Sequence, residues 1–129
     1  MSGYSMTSIS ELPFDETIDL VTTELKTAGF GIITDIDMKD TMSDKLGIDI
    51  SRYRILGACN PQYAYMALRA EDHAGLFLPC NVVVHELGSK EVEVTVLDPM
   101  AAMEAVSNPR LKAVAFHVRE KLERVIERI

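Results

Sequence analysis

Hydrophobic positions along the chain alternate between two periods. From Pro13 to Ala28, Phe14, Ile18, Val21 and Leu25 recur at helical spacing, Asp15 and Glu16 occupy the first turn where the helix dipole favours acids, and Gly29 stops the run. Phe30 to Ile36, with paired isoleucines and a threonine, predicts a strand. Met38, Met42 and Leu46 mark a short amphipathic helix that closes on Gly47. Arg52 to Cys59 alternates, predicting a strand with Cys59 at its end. Cys80 to Leu87 and Glu91 to Leu97 predict a hairpin turning through Gly88, Ser89 and Lys90. In its second strand Val92, Val94 and Val96 share one face, and Glu91, Glu93 and Thr95 share a solvated one. Tyr4 to Ile9 reads as a short first strand and Pro99 to Val106 as a short helix. The last helix, Pro109 to Ile129, carries Leu111, Val114, Val118, Leu122, Val125 and Ile129 on one stripe, with Glu120, Glu123, Arg124 and Glu127 opposite.

This order predicts an α+β fold in a single domain, 1–129. Its largely antiparallel sheet is covered on one face by helices, in a β-α-β(4)-α-like order with short inserted helices and a long C-terminal helix. The uncovered face must then be polar or meet a partner. Val83 points away from Val82 and Val84, and Phe116 falls on the polar side of the last helix. Apolar groups in both places point to a homodimer.

Prolines sharpen the helix starts. Pro13, Pro61, Pro99 and Pro109 each open a predicted helix, and three of them follow Asn60, Asp98 and Asn108. An Asn or Asp there is expected to accept a bond from a first-turn amide, while proline at the first helical position forfeits none. Asn81 stands at a strand start, where polar side chains are common.

Composition narrows the partners. Thirteen basic against twenty acidic residues give a net charge of -7, which repels phosphate backbones. The sequence shows no basic patch to override that charge; Arg52 and Arg54 around Tyr53 read as strand surface, so nucleic acid is not an expected partner. The apolar runs fall short of the roughly 20 residues that span a bilayer, and MSGYSMTSIS has neither a basic start nor an apolar run. A cytoplasmic protein that neither spans nor binds a membrane is expected, with two free thiols rather than a disulfide.

Those thiols carry the candidate chemistry. Cys59 precedes an Asn-Pro helix start whose dipole favours thiolate, although a cysteine ending an apolar strand is more often packing. Of the three histidines, His73 in EDHAGLFLP is the one placed to approach a cysteine; His85 has the opposite strand parity to Cys80, and His117 lies off the apolar stripe. Cys59, Asn60, Cys80, Asn81, His73 and Asp98 are therefore the candidate pocket, with no catalytic residue assigned. No metal site and no cofactor are expected: P-loop, GxGxxG, HExxH and GxSxG patterns are missing, and the methionines at helical spacing read as core filler.

Taken together, LGACNPQYAYMAL, LPCNVVVHE, TVLDPMAAM and the closing LERVIERI resemble the domain-of-unknown-function 302 family of small bacterial and archaeal proteins. The family's GxCNP pattern falls on Gly57, Cys59, Asn60 and Pro61, its LPC pattern on Leu78, Pro79 and Cys80, and its Asp-Pro on Asp98 and Pro99. The resemblance implies an α+β domain related in outline to TATA-binding-protein-like folds, dimeric, with no activity attached. Two functions follow as expectations. The first is a non-enzymatic, homo-oligomeric module that binds a small ligand or partner. The alternative is a redox or metal-responsive protein using Cys59 and Cys80.

Overall fold

A computed structural model describes residues 3–129. Strands β1 (Ser5–Ser10), β2 (Gly31–Asp37), β3 (Tyr53–Cys59), β4 (Cys80–Gly88) and β5 (Glu91–Leu97) form one antiparallel sheet in the order β1-β5-β4-β3-β2. The helices are α1 (Phe14–Thr27), α2 (Met38–Leu46), α3 (Pro61–Ala70), α4 (Pro99–Ala102) and α5 (Pro109–Glu127), and a 3-10 turn, Ala74–Phe77, leads into β4. The α+β architecture is thus the one that the hydrophobic pattern predicts.

The core lies between one face of the sheet and the helices. Val82 and Val84 of β4, and Val92, Val94 and Val96 of β5, are buried there against Ile18, Val21 and Leu25 of α1 and Leu111, Val118 and Leu122 of α5. Each fully buried valine or leucine contributes on the order of 1.5 to 3 kcal/mol, so the two central strands and two long helices carry most of the hydrophobic stabilisation. On the opposite face, Ile36, Ile55, Val83, Thr95 and Thr7 stand side by side in register across all five strands. None of these five is buried.

Local capping follows the sequence at most boundaries. Asp37 accepts a bond from the Asp40 amide at 3.0 Å to start α2, and Gly47, at φ 65°, closes it in the left-handed conformation that glycine adopts without strain. The pattern is a poorer guide to packing. Helix α2 forms where expected yet buries no residue, and Met66 of α3 is half-exposed, so these methionines are not core filler. Helix α4 is a single turn ending at Met103, shorter than the run to Val106 suggests, because Met103 turns into the core.

Candidate functional site

Antiparallel pairing sets Ala58 of β3 opposite Cys80 of β4, which places Cys59 and Cys80 at the same end of the sheet, one register step apart. From there the chain leaves β3 through Asn60 into α3, and it enters β4 from the 3-10 turn through a cis Leu78–Pro79 bond. These two segments, with α4 and α5, surround a cavity of about 180 Å³. An apolar cavity of comparable size, about 150 Å³ in another protein, holds benzene. Cys59, Asn60, Cys80 and Asn81 all contribute to the wall, along with Phe30, Tyr63, Phe77 and Met103, and no charged side chain lines it.

Gly57 makes this geometry possible. A Cβ at that position would stand 2.0 Å from Thr34 Oγ1 and 2.7 Å from Pro79 Cγ. Only a residue without a side chain lets β2 and the lead-in to β4 close over β3, and that closure sets where Cys80 begins its strand.

Both cysteines are free thiols. Burial, reinforced by the charge Cys59 would carry, pushes the Cys80 thiol up to about 11. Cys80 is consequently a neutral, weakly polar group at physiological pH, suited to an apolar wall rather than to nucleophilic attack.

Asn60 departs from expectation. It holds the N-cap position of α3 with extended backbone, φ -100° and ψ 107°, but its side chain accepts no first-turn amide. Instead the carboxamide lies beside Gly29, where a Cβ would come within 2.9 Å of Asn60 Nδ2. Gly29, at φ 92°, leaves the gap into which Asn60 turns. The other two Asx-Pro starts do cap. Asp98 accepts from the Met100 amide at 2.9 Å, and Asn108 accepts from the Arg110 and Leu111 amides, both at 3.1 Å.

The remaining predicted pocket residues stand apart. Asp98 is not in the cavity wall: besides capping α4 it accepts from Arg119 Nε at 2.9 Å, and this bond and charge raise the arginine's pKa. His73 is exposed, and its loop folds back on itself so that Glu71 Oε2 accepts from the His73 amide at 3.3 Å and lies 3.7 Å from its Nδ1. His85, toward the other end of β4, packs against Tyr53 with the rings tilted at 54° and bonds Ser51. The apolar triplet Leu76, Phe77 and Leu78 does line the cavity. Periodicity does not single it out, although three apolar residues inside a polar loop are a signal in themselves. Among the described residues, no group of three or more His, Cys, Asp or Glu is arranged to hold a metal ion, and no helix is long and apolar enough to cross a membrane.

Comparison with known proteins places the whole chain. The family model described as "Domain of unknown function DUF302" matches residues 4–129. The crystal structure of an uncharacterized conserved protein DUF302 from Bacillus stearothermophilus superposes with a TM-score of 0.90 at 26% identity, covering 98% of each chain. No curated protein matches the sequence.

Proposed function

Because the chain belongs to the DUF302 family, described only as a domain of unknown function, we propose a role from the site itself: a non-enzymatic, homodimeric module that binds a small, neutral, mostly apolar molecule. The ligand would sit between α3, α5 and the end of the sheet, with the uncommitted Asn60 carboxamide as its hydrogen-bonding partner. One observation carries this reading. Two cysteines and two asparagines share the wall of a benzene-sized cavity that has no charged lining. Support for self-association comes from the opposite sheet face, where Ile36, Ile55 and Val83 form an unburied apolar row.

Phenol is a suitable probe, being neutral and the size of the cavity. Binding to the native state raises the melting temperature with concentration, and Ala64→Phe, which fills the cavity from α3, should abolish that rise. Undiminished phenol stabilisation of the Ala64→Phe protein would defeat the cavity reading. Cys59→Ser and Cys80→Ser variants that fold and retain phenol binding would separate ligand binding from thiol chemistry. For the dimer, sedimentation of wild type against Val83→Lys is decisive, since a wild-type monomer at tens of micromolar removes it.

The shared wall also favours a second reading, in which the two thiols act as a redox pair. With Cys80 held protonated, Cys59 would be the attacking group. Alkylation of Cys59 no faster than that of glutathione at pH 7 would exclude it.

A further inference from the structure

The acidic chain gathers unpaired positive charge where α3 meets α5. A surface groove of about 320 Å³ runs between Tyr65, Met66 and Arg69 of α3 and Arg110, Ala113 and His117 of α5. Val114 contributes to both this groove and the cavity, so the two lie on opposite sides of one helix turn. The groove is independent of the cavity reading.

Of the five arginines elsewhere in the protein, four find acids: Arg52 pairs with Asp15, Arg54 with Asp35, Arg119 with Asp98, and Arg128 with Glu24, while the fifth, Arg124, stands in the last turn of α5, where a cation offsets the helix dipole. Among the described residues, neither Arg69 nor Arg110 forms an ion pair, despite twenty acidic residues in the chain. Among the carboxylates just past α3 and on α5, Glu71 lies 3.7 Å from His73, Glu120 lies 3.9 Å from His117 and Glu123 lies 3.7 Å from Arg119. Arg69 has a structural account, since a cation in the last turn of α3 offsets the helix dipole. Its guanidinium is also steadied by Nη1 donating to Tyr65 Oη at 3.0 Å, which leaves its other donors free.

Arg110 has no such account. It stands in the first turn of α5, where the positive end of the dipole disfavours a cation, and its side chain has no partner among the described residues. A charge kept where it weakens its own helix is a charge suited to something outside the protein. The groove floor between the two arginines is apolar, formed by Met66, Ala113 and Val114.

We infer that the α3–α5 groove binds an organic anion, with a carboxylate or phosphate monoester head between Arg69 and Arg110 and a small apolar body on Met66, Ala113 and Val114. Guanidinium forks match the paired oxygens of such heads, and the apolar floor selects an organic ester over the bare ion.

Titration of the full chain with phenyl phosphate, inorganic phosphate and phenol, followed by backbone NMR, tests this. Phenyl phosphate should shift the resonances of Tyr65, Met66 and Ala113 and saturate, with inorganic phosphate at least tenfold weaker and phenol leaving the groove unshifted. Arg69→Gln and Arg110→Gln should each weaken phenyl phosphate at least tenfold. Both are exposed positions, and ligand-free Arg110→Gln should melt no lower than wild type, because it relieves the dipole. Equal affinity in Arg110→Gln would overturn the inference, as would inorganic phosphate binding as tightly as the ester or shifts confined to the cavity wall.

Discussion

Asn60-Pro61 and Asn108-Pro109 are the same dipeptide at the start of a helix, used in opposite ways. Asn108 commits its whole side chain: Oδ1 accepts two first-turn amides, and Nδ2 donates to the Ala70 carbonyl at 2.8 Å, tying the start of α5 to the end of α3. The Asn60 side chain gives its helix no bond and stands in the wall of a cavity. The difference lies outside the dipeptide. Beside Asn108 is a carbonyl that needs a donor, and beside Asn60 is a glycine that leaves room. A capping residue that does not cap marks a position where stability has been set aside, and such positions are where binding chemistry is to be sought.

The largest test of this contrast asks how dry the Asn60 side is. Below about pH 9 the Cys80 thiol is protonated in both folded and unfolded chains, and its contribution to stability is complete. As pH rises toward about 11 the unfolded chain ionises first, so that contribution is lost. Each tenfold difference in proton affinity between the two states is worth roughly 1.4 kcal/mol, so urea unfolding should show wild type losing about 2 to 3 kcal/mol more than Cys80→Ser between these limits. Identical profiles would mean that the wall around Asn60 is wet. Next in size, Asn108→Ala should cost about 1 to 2 kcal/mol as a lost cap, read as a lower urea midpoint with an unchanged slope. Smallest, Asn60→Ala should change stability by less than about 0.5 kcal/mol while weakening phenol binding several-fold. An Asn60→Ala loss as large as that of Asn108→Ala would erase the distinction between the two starts.

The elements are legible in the sequence because each follows from local periodicity or a local stop signal. Helices α1 and α5 and strand β5 fall within a residue or two of their predicted limits, since the stripes of Phe14, Ile18, Val21 and Leu25, and of Leu111, Val114, Val118 and Leu122, face one core. Where the pattern misleads, the deciding neighbour lies far along the chain. Met38, Met42 and Leu46 form the expected helix, but its contact with β3 leaves none of them fully buried. The dipeptide predicts a cap at Asn60 because the competing attraction, the space at Gly29, is thirty-one positions upstream. The cysteines and Asn81 meet in one wall, whereas His73 is held away by its own Glu71. The acidic total conceals Arg69 and Arg110, which are forty-one residues apart until α3 and α5 come together.

Gly57 also bears on how anything reaches the cavity. Thr34 from one side and Pro79 from the other meet above it within the space of a single methyl group. The three strands at that end of the sheet are thereby latched, and they cannot spread apart to widen the chamber they floor. Access therefore belongs to the other wall. There the 3-10 turn presents Leu76, 83% exposed, as the apolar rim of a chamber whose floor is held fast.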